Sequence, residues 1–125
     1  MFFFIAEGVN IIIAVGHSGY EVDKKIASEV EEVDAVVGGH SHSFLFSGEP
    51  PSNDAPKGDY PTLVTQGSGK VVPVVQAFWG TKYLGFIQLS FSEDGEMSSW
   101  KNTWKGSKTP ILLDGSHGQG NENFS

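Results

Sequence analysis

The chain contains no cysteine, which removes disulfide scaffolds, thiolate zinc sites and cysteine nucleophiles together. Histidine and carboxylate side chains must therefore carry any metal. Basic residues are also scarce: eight Lys and Arg stand against fifteen Asp and Glu, for a formal net charge of −7. That balance repels a phosphate backbone and speaks against nucleic-acid binding through a basic patch. No apolar run approaches the ~20 residues needed to cross a bilayer, so no transmembrane segment is expected. The apolar opening Met1-Phe2-Phe3-Phe4-Ile5-Ala6 lacks the basic flank of a secretory signal and gives way at once to Glu7 and Gly8.

What is present fits one ordinary globular domain: 125 residues, 38% hydrophobic and 12% aromatic, with sixteen glycines favouring many loops. Residues 9–15 (VNIIIAV) form a nearly continuous β-branched run, which predicts a strand buried on both faces and ending at Gly16. From 20 to 32 the apolar positions Val22, Ile26, Ala27 and Val30 recur at helical spacing between charged residues, predicting an amphipathic helix. Residues 33–37 (VDAVV) read as a second buried strand broken by Gly38-Gly39. Strand, helix and strand make one βαβ unit.

Residues 47–61 carry four prolines, two glycines and Asn53-Asp54, the composition of a long surface loop or lid. Strands are expected at 63–65, 71–78, 83–91 and 97–104, in a mostly antiparallel run with turns at Gly67-Ser68-Gly69 and Glu93-Asp94-Gly95-Glu96. The last twelve residues, 114–125, are rich in Gly, Ser and Asn and read as a disordered tail behind a domain at 1–113. The fold class is therefore α/β.

His17 and His40 each follow a glycine at the C-terminal end of a predicted buried strand, the edge of an α/β sheet where ligand sites collect. His42 lies two residues beyond His40, so in an extended segment both imidazoles project to one side and could serve two neighbouring ions. Such ion pairs suit phosphoryl transfer. Phe44, Phe46, Trp79, Trp100 and Trp104 read as core, while Asp23 and Asp34 read as solvated or structural residues with no spacing that pairs them with the histidines.

Two motifs fail on spacing. Gly16-His17-Ser18-Gly19 lacks the last glycine of a nucleophile elbow, since Tyr20 stands there. Gly67-Ser68-Gly69-Lys70 would need glycine at Val64 and a hydroxyl residue at Val71 to be a phosphate-binding loop, so it reads as a turn.

Taken together, Gly16-His17-Ser18-Gly19 and Gly38-Gly39-His40-Ser41-His42 resemble the last two metal-ligand motifs of the 5′-nucleotidase family of calcineurin-like metallophosphoesterases. The resemblance continues through Gly48-Glu49-Pro50-Pro51, Tyr60-Pro61, Lys70-Val71-Val72-Pro73-Val74-Val75-Gln76-Ala77 and Lys82-Tyr83-Leu84-Gly85, and fades beyond Pro110-Ile111-Leu112-Leu113-Asp114. It implies part of a four-layer α/β/β/α sandwich that holds two divalent metal ions, typically zinc with manganese an alternative. It also implies an enzyme that hydrolyses nucleoside 5′-monophosphates such as AMP. By position His17 and His40 would ligate one ion and His42 the other. Many members of the family are extracellular or held at the cell surface, which sets the expected location, although no signal or anchor is read in this chain.

The family's earlier Asp-x-His and Gly-Asn-His-Glu motifs occur nowhere here, and Gly58-Asp59 stands after the histidines rather than before them. The chain is thus expected to be the C-terminal half of such a catalytic domain, without the N-terminal half or the separate nucleotide-binding domain. The alternatives are a catalytically inactive truncated isoform, an interaction partner of a full-length nucleotidase, or a piece of an apyrase or cyclic phosphodiesterase of the same superfamily.

Overall fold

A computed structural model describes residues 7–113. The reading of the opening hexapeptide and that of a disordered tail at 114–125 lie outside the described residues. The expected βαβ unit is present: β1 (Ile13–Val15), α1 (Tyr20–Glu29) and β2 (Ala35–Val37), with β1 and β2 paired in parallel, Ile13 opposite Ala35 and Val15 opposite Val37. β3 (Thr62–Thr65) and β4 (Val71–Val75) form the antiparallel hairpin predicted around Gly67-Ser68-Gly69, closed by Gln66 N–H to Lys70 O at 2.8 Å. Gly69 supplies the positive φ of 92° that this turn requires.

One pairing departs from the expected antiparallel run. β4 lies beside β2 in parallel, so the sheet is mixed, with strand order β1-β2-β4-β3. Further on, the strand expected at 83–91 divides into β5 (Tyr83–Leu84) and β6 (Gln88–Phe91), and that at 97–104 into β7 (Met97–Lys101) and β8 (Thr103–Trp104). β6 pairs with β7, β8 with β9 (Ser107–Lys108), and β5 with β10 (Ile111–Leu112), all antiparallel. The break after β5 falls at Gly85, where a Cβ would stand 2.7 Å from the hydroxyl of Tyr60: the loop crosses too closely for the strand to continue with a side chain there.

Alternation along the strands explains the core. Ile12, Ala14, Val36, Val72, Val74 and Val64 face α1 and join Ala27, Val33 and Leu45 in one cluster. Full burial of Val36, Val72 and Val74 contributes roughly 1.5–3 kcal/mol each. The opposite face behaves differently from the expectation of strands buried on both sides: Ile13 is 49% and Val15 78% exposed. Of β1, only the face toward α1 is covered; on the other face a groove of about 240 Å³ lies between Ile13, Val37 and Val75 on one side and Ile87, Leu89 and Phe91 on the other.

The helix also turns differently from its apolar pattern. Val22 is exposed, whereas Tyr20, Asp23 and Ala27 are buried. It ends three residues earlier than expected, because Val30 adopts an extended conformation and the side-chain amide of Gln66 donates to both Ala27 O and Val30 O at 2.9 Å. Phe44 and Phe46 are buried as expected, in a second cluster with Tyr83. Trp79 and Trp100, expected in the core, are 57% and 40% exposed, whereas Trp104 packs on Phe86.

Residues 47–61 are tied down rather than free. Ser47 Oγ donates to Tyr60 O and accepts from Tyr60 N–H, closing the base of the loop, and Tyr60 is buried. Its middle is held by Asp54, which accepts from Tyr83 Oη at 2.5 Å and pairs with Lys82 at 2.5 Å. Among the described residues no helix is long and apolar enough to cross a membrane.

Candidate metal centre

Three parallel strands end side by side, and each delivers a polar residue to the same edge. Gly16-His17 follows β1, Gly38-Gly39-His40 follows β2, and Gln76 follows β4. The ladder extends into these loops, Gly16 N–H bonding Val37 O at 3.0 Å and Gly38 N–H bonding Val75 O at 2.9 Å, so their starting directions are set by the sheet. The carboxyl edge of a parallel sheet is where such folds bind ligands, because the loops there diverge and leave backbone and side chains accessible.

The loop after β2 turns sharply. Ser41 N–H bonds Gly39 O at 2.9 Å across His40, whose φ is 74°, so His40 sits at the apex of a positive-φ γ-turn. His42 has φ 49°, a second left-handed residue in the same segment. The segment is therefore not extended, and the two-residue spacing of His40 and His42 does not place their rings on one side by simple alternation. His42 instead lies on Trp79, the rings nearly parallel at 17° with centroids 5.4 Å apart.

His17 and His40 do come together. Their ring centroids are 5.1 Å apart at an interplanar angle of 69°, and both residues are exposed. A Cβ on Gly39 would stand 3.0 Å from His17 Nδ1, so the absence of a side chain there lets the imidazole lie against the turn. For two imidazoles on one tetrahedral ion, Zn–N bonds of about 2.0–2.1 Å place ring centroids about 5.2 Å apart. The observed separation thus fits two positions of a shared metal shell. Among the described residues no group of three or more His, Asp or Glu side chains is close enough to hold an ion.

Asp23 is not visible from spacing as a neighbour of the histidines, yet it links their two loops. It is fully buried on α1; Ser18 Oγ, next to His17, donates to its Oδ1 at 2.9 Å, and its Oδ2 lies against the backbone at Gly38. Asp34, also buried, serves the far end of β1, accepting from Ile12 N–H at 2.7 Å and pairing with Lys70 at 2.8 Å. On the other side of Trp79, the hydrogen bond from Lys82, followed by that from Tyr83, holds the Asp54 carboxyl below its usual range. Lys82 is raised by the same bond, and Tyr83 is raised first by desolvation and then by Asp54.

No family model matches the chain. Among curated proteins, 5′-nucleotidase of Bos taurus is 52% identical over 108 residues, covering 86% of this chain and 18% of its own length. Snake venom 5′-nucleotidase of Macrovipera lebetinus is 49% identical over 106 residues, covering 85% of this chain and 24% of its own. The solved 5′-nucleotidase precursor from Thermus thermophilus superposes with a TM-score of 0.74 at 40% identity, over 80% of this chain and 20% of that one. Haemophilus influenzae NAD nucleotidase gives 0.71 at 28% identity, over 76% and 17%. The chain spans about a fifth of the length of the relatives it matches. Over the stretch that these comparisons cover, it belongs to the 5′-nucleotidase family.

Proposed function

We propose that this segment supplies one side of a two-metal phosphoesterase centre that hydrolyses nucleoside 5′-monophosphates to nucleoside and phosphate. The observation that carries the reading is the approach of His17 and His40 to 5.1 Å at the ends of two adjacent parallel strands. In it, His17 and His40 hold one divalent ion, zinc being the natural choice for nitrogen ligands, and His42, which stacks on Trp79, is the candidate ligand for the second ion. A bound ion pair would supply Lewis-acid stabilisation of the phosphate and activation of water. The chain's own part is to fix the two imidazoles: Gly39 makes room for His17, and the γ-turn presents His40. The reading also calls for acidic partners in that shell, which the described residues do not bring to the two imidazoles. A relative from snake venom supports an extracellular or cell-surface setting.

The test is replacement of His40 by alanine in a protein that contains this segment, followed by zinc affinity and phosphate release from AMP. Changes to residues that only orient a ligand cost roughly 10 to 100-fold in metal affinity or activity, so losing a ligand should cost at least about that. Stability should change little, because His40 is exposed. Unaltered zinc affinity and turnover in the variant would refute the assignment.

A further inference from the structure

The geometry points to Gln76 as the positioning residue that locks the His40-Ser41-His42 turn in its ligand-presenting form. The inference rests on the metal reading of His17 and His40 given above. Both histidines of the turn occupy left-handed backbone conformations, at φ 74° and 49°. Such conformations are strained for residues other than glycine and persist only where the surroundings over-determine them. Something must therefore hold this turn against relaxation.

Gln76 is the group placed to do so. It is 3% exposed and leaves β4 one residue beyond Val75, whose carbonyl already accepts from Gly38 at the start of the turn. Its Oε1 accepts from Ser43 N–H at 2.6 Å and from Ser41 Oγ at 3.3 Å, while its Nε2 donates to Gly39 O at 3.2 Å. One amide thus grips the chain before His40, between the histidines, and after His42. The donor and acceptor ends cannot be exchanged, because a flipped amide would set its NH2 against Ser43 N–H and its oxygen against Gly39 O.

Ser41 passes the restraint to the other histidine. Its Oγ accepts from Tyr20 N–H at 2.9 Å, serving the first turn of α1 where Gly19 offers no side-chain cap, and it shares a hydrogen bond with Ser43 Oγ at 2.8 Å. Since α1 begins three residues after His17, the amide of Gln76 connects the loops of both imidazoles to the sheet. An ordinary buried amide would need only to satisfy its own polar atoms. This one joins three points of a strained turn.

The test compares the full chain with Gln76→Leu, Gln76→Glu and His40→Ala, reading zinc affinity by competition with a chromophoric chelator and the histidine imidazole signals by NMR. Leucine removes every contact; glutamate keeps the acceptor toward Ser43 and Ser41 but cannot donate to Gly39 O. We expect zinc affinity to fall about 10 to 100-fold in Gln76→Leu, less in Gln76→Glu, and the His40 signals to broaden or split in the same order. Should the leucine variant not fold, the glutamate variant carries the comparison. Wild-type affinity and unchanged imidazole signals in a folded Gln76 variant, alongside an impaired His40→Ala, would overturn the positioning role and leave the metal reading standing. Equal zinc affinity in wild type and His40→Ala would overturn the metal reading instead, and the His40 signals alone would then decide for or against Gln76.

Discussion

At Gly38 the chain has no room for a side chain: a Cβ would stand 1.9 Å from Asp23 Oδ2. The carboxylate cannot move aside freely, since Asp23 is fully buried and Ser18 holds its other oxygen. Gly38→Ala is therefore expected to destabilise the protein by about 1–3 kcal/mol, the usual range for overpacking. In an Asp23→Ala background the same change should cost much less, because the obstructing oxygen is gone. Urea denaturation of the four proteins of this double-mutant cycle measures the difference, and equal costs in both backgrounds would refute the contact. Sequence spacing made both histidines legible, each one following a glycine after a β-branched run. It hid Asp23 and Gln76, because the contact of Asp23 with Gly38 spans 15 residues and those of Gln76 with the turn span 33 to 37, so the links exist only once α1 has docked on the sheet and β4 has joined β2.

The helix and the 47–61 loop are each finished by side chains from elsewhere in the chain. Gln66, just past β3, donates to the carbonyl of Ala27 in the last turn of α1 and to that of Val30, which also accepts from Val33 N–H at 3.2 Å. Gln66→Leu should lose about 1–3 kcal/mol, toward the lower end because the Oε1 it removes is itself buried without a hydrogen-bond partner. A thermal or urea midpoint indistinguishable from wild type would show that the capping is idle. For the loop, the bond to Lys82 depresses Asp54, so its stabilising contribution is present above the ordinary carboxylate value of 3.8 and is lost as pH falls through that value toward the lower folded one. Lys82 is raised, so its contribution is present below its ordinary 10.5 and is lost only as pH rises past it. Between those limits the clasp is complete. Asp54→Asn should accordingly narrow the difference in urea midpoint between pH 6 and pH 3; an unchanged difference would place the acid sensitivity elsewhere.

On the scale of the whole molecule, one face of the sheet is only partly covered. Val15, Ile13 and the groove beside Val37 present apolar surface on the side away from α1, and β1 is an edge strand in the order β1-β2-β4-β3. Produced by itself, the 125-residue chain is expected to bind a hydrophobic dye or self-associate through this face, and Val15→Lys should reduce both. Sedimentation showing a dye-inert monomer would count against an open face. The isolated chain should also release no phosphate from AMP with added zinc or manganese, since its described residues bring only two imidazoles together. Turnover near ~1 per second, typical of enzymes, would contradict that. By itself the sequence determined the βαβ unit, the two hairpin turns, the histidine positions and the family, because β-branched runs, glycine breaks and motif spacing are local properties. Only the tertiary structure decided that β4 joins β2 in parallel, that His42 turns to Trp79 while His17 meets His40, and that Asp23, Gln66 and Gln76 are the groups joining the elements. Those outcomes depend on which distant segments share a sheet edge, and no periodicity within a single segment encodes that.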